Sequence, residues 1–525
     1  MTPTAARRRS HVFASLRGYE RSWLRGDLIA GLTVWAILVP QALAYASIAG
    51  VSPVVGLYAA PGALLLYAAL GSSRVLIVGP MAASAALSAA TVAGAGPAGD
   101  SSFAAFTAAL ALVAGIAALA AGLLRLGFLA NFISQPVLSG FIIGLALTII
   151  IGQLPKLFGI PPEHGNFFEQ AWRLVMHLGD TQGVTLLVGA FSLALILGLR
   201  RLAPRVPGSL VAVAAGIAAV KAFDLDVPTV GTVRSGLPAL GLPDMELSDV
   251  SGLVAGGLGI ALIAFAEGFG AAKAYGQSVD ANHELVALGG ANLAAGLCSG
   301  MVVSGSLSKT AVNATAGARS QLSGLLAAAL TVVALLLLTG LFADLPQATL
   351  AAVVIAAVIG LVDVRPLVAL YNTSTRRLGR QFGWVARPDF LAAVAALLGV
   401  TVFETLPGLF IGVGASLALL VYRASRPYVA TLGRTAGPDG AYHDLGRHDD
   451  AQPVDGLAIL RIESSLFFAN ADNVRAAILD AGLRDGIRAV ILDAESSPFV
   501  DVTAAHMLVA AGAELRTHGV RLVLA

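Results

Sequence analysis

The sequence predicts an α-helical polytopic membrane protein of about fourteen spans, followed by a small α/β domain. Three observations carry that prediction. Hydrophobic residues fill 57% of the 525 positions and charged residues only 12%, with a mean hydropathy of +0.82, a balance of membrane-protein type. Apolar runs recur from Asp27 to Tyr422, many of them near the ~20 residues that cross a hydrocarbon core ~30 Å thick. After Arg423 the texture changes to that of an ordinary globular sequence.

Between charged, proline and glycine punctuation, the apolar windows fall near 27–49, 53–71, 75–94, 103–125, 129–153, 182–199 and 208–222. A second set follows near 251–275, 284–299, 302–317, 320–342, 345–361, 388–404 and 406–423. Several are short for a span, so the total is approximate. The first window is long enough to span and has no small-residue cleavage pattern, so no signal peptide is evident. The amphipathic stretch 167–178, FFEQAWRLVMHL, is expected to lie in the membrane interface, with His177 a surface residue rather than a proton carrier.

Basic residues set the expected orientation. The N-terminus carries Arg7, Arg8, Arg9, Arg17, Arg21 and Arg25. If it is cytoplasmic, every even-numbered span must also end there. Those ends carry Arg74, Arg125, the group Arg200, Arg201 and Arg205, then Lys273, Arg319, and finally Arg365, Arg376, Arg377, Arg380 and Arg387. The longest connection on the other side, 223–250, is acidic, with Asp224, Asp226, Asp244, Glu246 and Asp249. An even total and cytoplasmic termini follow.

The net charge of +2 is too small to imply nucleic acid, and the one cysteine, Cys298, rules out an internal disulfide framework. Arginine supplies most of the basic charge, and Lys156, Lys221, Lys273 and Lys309 are the only lysines. That bias suggests a GC-rich bacterial genome and a cytoplasmic (inner) membrane. No metal cluster, nucleophile triad or phosphate-cradling loop is evident, so neither an enzyme, a cofactor nor a metal is expected. The glycines at 256–259 read as helix packing.

Two segments break the helical pattern. In GSSRVLIVGPMAAS (71–84) a β-like run ends at Gly79-Pro80 before small residues suited to a helix. Proline is tolerated at a first helical position because the N–H it lacks has no partner there. GMVVSGSLSKTAV (300–312) has the same build, with Gly305 and then Ser306 where a helix can begin. They fall at the third and tenth windows, corresponding places in two halves of about seven spans, which is the mark of an inverted repeat with a midplane site. Two facing helix N-termini offer unpaired N–H groups and dipole ends worth ~0.3 to 1 kcal/mol each at an exposed site. Such a site favours an anion. Ser306 and Ser308 can cap the helix or bind oxyanion oxygens, and Lys309 adds a positive charge in the first turn. The competing reading is a plain polar loop, with Lys309 snorkelling to the interface.

Glu267, about two-thirds along the eighth window, is an intramembrane carboxylate. It can carry a coupling proton or cation, pair with Lys309, or reach water near Lys273. Gln41 and Tyr45, one turn apart on the first window, can hydrogen-bond a ligand, although Pro40 can simply kink that helix.

PVVGLYAAPGALLLYAALGSSR (53–74) closely resembles the second-span signature of the sulfate permeases (SulP), relatives of the solute carrier 26 anion transporters. DLIAGLTV, PQALAYA, FISQPVLSGF (132–141), NHELVALGGAN (282–292) and GARSQLSG (317–324) support the resemblance, which covers nearly the whole chain. Residues 455–525 resemble a STAS domain through LAILRIESSLFFANADNVR, AVILDAES, VDVTAAHMLVAAGAEL and VRLVLA. In soluble STAS relatives a phosphorylatable serine follows the key aspartate; here Val502 follows Asp501, and Thr503 comes next. A family STAS domain ordinarily continues past the length present here, which points to a short or truncated domain.

The resemblance implies a seven-plus-seven inverted repeat like that of uracil transporters, with a core (spans 1 to 4 and 8 to 11) and a gate (spans 5 to 7 and 12 to 14). It divides the chain into a cytoplasmic segment 1–26, a transport domain 27–425, a linker 426–454 and the STAS domain 455–525. It places substrate contacts at Gly79, Pro80, Met81 and Ala82 facing Ser304, Ser306, Ser308 and Lys309, with Gln41 and Tyr45 from span 1 and Glu267 from span 8 for ion coupling. Many animal members have arginine where this chain has Lys309, and lysine is a point charge without arginine's fork. The expected function is secondary active transport of a small inorganic or organic anion (sulfate, bicarbonate or a dicarboxylate such as fumarate) coupled to a proton or Na+. The alternative is a passive channel or uniporter on the same fold. A homodimer in the lipid bilayer and a cytoplasmic partner of the STAS domain complete the expectation.

Overall fold

Apolar windows of similar length become helices of unequal length in the computed structural model, which describes residues 12–96, 100–128, 135–161, 165–203, 206–231, 235–273, 279–376, 387–403, 405–435 and 441–525. Arg7, Arg8, Arg9, Arg205, Arg377 and Arg380 lie outside the described residues. The chain forms two compact units, Met1–Ala415 and Ser416–Ala525.

The first half of the larger unit runs α1 (Leu24–Ile48), α2 (Pro53–Leu70), β1 (Val78–Gly79), α3 (Ala82–Ala95), α4 (Asp100–Leu123), α5 (Gln135–Phe158), α6 (Phe167–Met176), α7 (Gly183–Leu202) and α8 (Gly208–Phe223). The second runs α9 (Leu247–Lys273), α10 (Ala281–Leu297), β2 (Ser304–Gly305), α11 (Leu307–Thr315), α12 (Leu322–Leu337), α13 (Gln347–Val358), α14 (Arg365–Arg376) and α15 (Arg387–Phe403), and α16 (Thr405–Ser425) crosses into the smaller unit. Among the described residues seven helical runs are long and apolar enough to span: α1, α2, α4, α5, α7, α9 and the run from α13 into α14. The apolar helices α3, α8 and α12 are shorter.

Three differences from the sequence reading have plain causes. Helix α3 begins at Ala82, not at Pro80, because Gly79 is held in a strand and Met81 stays extended at φ −135° and ψ 151° as its N-cap. Helix α5 runs on to Phe158, with Pro155 absorbed in its last turn. Helix α14 was not anticipated at all, since RPLVALYNTSTR is too polar to register as an apolar window, although Pro366 suits a first turn. The amphipathic stretch expected in the membrane interface forms helix α6, closed by a capping box between Asn166 and Glu169.

The helices of the larger unit segregate into two bundles. In one, α10 packs on α4 and α2, α9 on α4, and α1 on α2 and α12; in the other, α5 packs on α13 and α15, and α7 on α8 and α13. Contacts of α1 with α8 and α13, and of α3 with α5, form the seam. Small residues set the spacing. A Cβ on Gly56 of α2 would stand 2.0 Å from the Ala42 carbonyl oxygen of α1, so these backbones touch only because that position is glycine.

The smaller unit contains β3 (Val429–Thr435), β4 (Tyr442–Asp444), β5 (Ala451–Gln452), β6 (Leu457–Ile462), α17 (Ala471–Gly482), β7 (Ala489–Asp493), α18 (Val502–Thr517) and β8 (Arg521–Leu524). The sheet order is β4-β3-β6-β7-β8, with β5 also on β3; β6, β7 and β8 are parallel, and β3 is antiparallel to β6. The stretch 426–454, expected as a linker, is therefore part of this sheet: alternating burial along β3 lets it pair with β6 from Val429↔Ile462 to Leu432↔Ile459. Leu460, Ile462, Val474, Ile478, Val490, Leu492 and Leu515 form the core between sheet and helices. Asp501 caps α18, accepting from Ala504 N at 2.7 Å and from Phe468 N at 2.8 Å, and Val502 beside it is 73% exposed.

Candidate functional site

The two broken segments meet. β1 and β2 pair antiparallel, Val78↔Gly305 and Gly79↔Ser304, and α3 and α11 each start within three residues of that ladder. A two-residue ladder leaves most of its flanking backbone unpaired, which is costly inside a membrane. Side chains complete it. Gln321 Nε2 donates to the carbonyls of Ser73 and Leu76, each at 2.9 Å, and Asn313 Nδ2 donates to Val75 O at 2.9 Å. Ile77 N donates to Thr310 Oγ1 at 3.1 Å, and Ser306 N to Ile77 O at 3.0 Å. In the other half Asn292 clamps Val303, donating from Nδ2 to its carbonyl and accepting from its N–H, both at 2.9 Å.

Two buried carboxylates hold the approaches. Glu284 on α10 accepts from Tyr67 Oη (2.9 Å) and from the N–H (3.0 Å) and Oγ (2.6 Å) of Ser72, just before the first segment. Asp27 on α1 accepts from Arg319 N (2.7 Å), Ser320 N (3.1 Å) and Ser320 Oγ (2.7 Å), just before α12. Each buried charge is thereby spread over several donors, the condition under which such burial is tolerated.

The two helix starts differ. Ser306 is the N-cap of α11, its Oγ accepting from Lys309 N at 3.2 Å. Met81 at the start of α3 makes no side-chain cap, so the first N–H groups there lack one. Lys309 is 1% exposed, and its ammonium is aimed at that end: Nζ donates to Pro80 O at 3.0 Å, contacts Met81 Sδ at 3.5 Å and sits 5.3 Å from the ring centroid of Tyr45.

Glu267 approaches from α9. Ser304 Oγ donates to its Oε2 at 2.9 Å. That contact depends on a close approach: a Cβ on Gly305 would lie 2.4 Å from Gly268 Cα, so only glycine lets β2 rest on α9. Glu267 is thus bonded to Ser304 and Lys309 to Pro80, and no ion pair joins the two among the described contacts.

Of the residues singled out from the sequence, Tyr45, Gly79, Pro80, Met81, Ala82, Glu267, Ser304, Ser306, Ser308 and Lys309 lie in or against this junction, in unequal roles. Gly79 is in the ladder, Pro80 supplies its carbonyl, and Met81 and Ala82 open α3. The hydroxyls of Ser304 and Ser306 are engaged inside the protein, and Ser308, with Oγ 3.3 Å from Ser306 Oγ, is exposed beside the equally exposed Leu307. Tyr45 is 4% exposed and Gln41 8%, and Gln41 Oε1 is buried without a hydrogen-bond partner. Residue-by-residue reading missed Asp27, Ser72, Glu284, Asn292, Thr310, Asn313 and Gln321. Several of these lie inside the motifs DLIAGLTV, NHELVALGGAN and GARSQLSG, as the polar letters in otherwise apolar or small-residue strings.

Comparison with known proteins agrees with this architecture. The Sulfate permease family pattern matches residues 24–378 and the STAS domain pattern residues 450–525. A probable sulfate transporter of Mycobacterium tuberculosis is 38% identical over 518 residues, covering 97% of this chain and 90% of the relative. Probable sulfate transporter 4.2 of Arabidopsis thaliana is 30% identical over 543 residues, covering 98% of this chain and 77% of the relative. The fold is similar to that of the murine Solute Carrier 26 family member A9 anion transporter in the inward-facing state, with TM-score 0.86 and 22% identity, covering 100% of this chain and 90% of that one. The transmembrane domain of a cyanobacterium bicarbonate transporter aligns with TM-score 0.64 and 24% identity over 75% of this chain and 99% of its own. The chain belongs to the sulfate permease family of membrane anion transporters and carries a C-terminal STAS domain.

Proposed function

We propose that this chain is a secondary active transporter of a small oxyanion, sulfate foremost, driven by a proton or Na+ through Glu267. The observation that carries the reading is the uncapped, buried start of α3 with the Lys309 ammonium 3.0 Å from the adjoining Pro80 carbonyl. Free N–H groups, a helix dipole and a full positive charge converge there, and Gln41, one turn before Tyr45 on α1, has an unsatisfied amide oxygen. Ser308 is the hydroxyl of the three nearby serines left open to a ligand. Lys309 acts mainly through its field, because its ammonium is already held by protein groups.

Glu267 supplies the link to a cation. A carboxylate about 6 Å from a bound anion repels it by about 3 kcal/mol at an effective dielectric of ~20, roughly a hundredfold in affinity. A proton or Na+ on Glu267 removes that repulsion, so each ligand raises the affinity of the other. Motion of the α1 to α4 and α9 to α12 bundle against its neighbour would expose the junction to each side in turn. The setting proposed is a bacterial cytoplasmic membrane, as a homodimer, with both termini and the basic groups Arg74, Arg125, Arg200 and Arg319 on the cytoplasmic face.

Uptake of labelled sulfate, bicarbonate and fumarate into proteoliposomes, with and without an inward proton or Na+ gradient, tests this. Wild type should accumulate anion only with a gradient, Glu267→Gln should transport without responding to it, and Lys309→Met should lose about a hundredfold in uptake. Gradient-independent uptake identical in wild type and Glu267→Gln would sink the coupling role. Unitary currents in a planar bilayer would favour a channel.

A further inference from the structure

We infer that a cavity at the far end of α1 is a second oxyanion site, separate from the α3/α11 junction, with Lys156 and Gln153 as its principal ligands. The cavity has a volume of about 240 Å³ and lies among Ser47, Gln153, Lys156, Val230, Gln347 and Leu350. By the same measure a single water needs only ~10–15 Å³, so a tetrahedral oxyanion with part of its hydration fits. Ser47 is two residues past Tyr45, about 3 Å further along the helix axis and on a different face, so this is not the space around Lys309.

The lining has the chemistry of an anion site. Gln153 and Lys156 are three residues apart on α5 and share a face. Gln153 is 6% exposed and lines the cavity, and its amide makes no hydrogen bond inside the protein among the described residues. The Lys156 ammonium likewise has no carboxylate or acceptor among them, and no acidic residue lines the cavity. Gln347 Nε2 is committed to Thr229 O at 3.0 Å, and Ser47 Oγ makes only a 3.4 Å contact with Leu43 O, so that hydroxyl can turn to a ligand. A half-buried cation in a partly open pocket with no counter-charge attracts an anion, and an oxyanion accepting from Lys156, Gln153 and Ser47 would satisfy all three groups at once. Because α1 belongs to one bundle and α5 and α13 to the other, an anion here bridges the seam along which the two would move.

The ligand class rests on the proposed transport of oxyanions; the site itself rests on the cavity. Calorimetric titration with sulfate, bicarbonate or fumarate, in maltoside micelles free of phospholipid and at ionic strength fixed with gluconate, separates the two sites. Wild type should show two classes of site, Lys309→Met only the Lys156 class, and Lys156→Gln only the junction class. Lys156→Gln should raise the dissociation constant of its own class at least about tenfold, and Lys156→Arg should restore it. Binding that survives Lys309→Met but not Lys309→Met with Lys156→Gln establishes the second site. A wild type that binds while Lys309→Met and Lys309→Ala, both monodisperse, are silent would overturn it and leave the transport reading intact. A wild type silent toward all three anions would overturn both.

Discussion

The segments 73–82 and 303–309 share a backbone design and almost nothing else. Each is an extended stretch in a common ladder followed by a helix. The second brings its own chemistry: Ser306 caps α11, Ser304 binds Glu267, and Lys309 reaches across. The first offers mainly a carbonyl and an uncapped helix start, and its backbone is held by Gln321, Asn313 and Thr310 from the other half. Internal repetition thus supplied geometry twice, and the charged and hydroxyl-bearing side chains were placed on one copy. On the proposed reading the plain copy is the better anion platform, since an uncapped N-terminus keeps its donors for a ligand.

The strongest test of this asymmetry uses the two ladder glycines. Gly305→Ala drives a methyl to 2.4 Å from Gly268 Cα, where only backbone can yield; Gly79→Ala meets Leu38 Cδ1 at 3.1 Å, the movable end of a side chain. Thermal unfolding in detergent should show a loss of about 3 kcal/mol or more for the first and under about 1 kcal/mol for the second. Equal losses would mean that both segments are packed alike.

A smaller effect comes from the tethers. Gln321→Ala leaves two carbonyls of the first segment without this donor, and Asn292→Ala removes both partners of Val303 in the second. Each should cost about 2–4 kcal/mol of stability. Gln321→Ala should also raise the KM for the anion more than Asn292→Ala does, because it loosens the approach to the open helix start.

The smallest effect is the most telling in sign. Ser306→Ala should cost about 1 kcal/mol by uncapping α11, whereas Met81→Ser, by capping α3, should add a comparable amount. The added cap competes with substrate for the same N–H groups, so Met81→Ser should bind anion more weakly while unfolding at a higher temperature. A stabilised variant with unchanged affinity would remove the α3 N-terminus from the site.

Much of this was legible beforehand, for reasons visible in particular residues. Helix-length apolar runs announced α1, α2, α4 and α9, and β-branched runs ending in Gly-Pro or Ser-Gly-Ser announced the two breaks. What escaped was of two kinds. Helix α14 and strand β3 lie in polar sequence, where local pattern is weak and pairing with β6 decides β3. The scaffold of Glu284, Asn292 and Gln321 escaped because its partners are backbone groups, or side chains more than 200 residues away, with no local sequence signature. The same ambiguity hid that Ser304 and Ser306 serve the protein, leaving Ser308 outward.

The ladder also has a consequence in time. Ile77 finds its partner Thr310 across 233 residues of sequence. At ~5–20 residues per second of synthesis, the first segment waits roughly 10 to 50 seconds for the strand and side chains that complete it. During that interval a stretch of open backbone stands in or near the bilayer, where lipid offers it nothing to bond. Closure of this junction is therefore a late event: the segment that emerges first stays incomplete until the half that carries the lysine arrives.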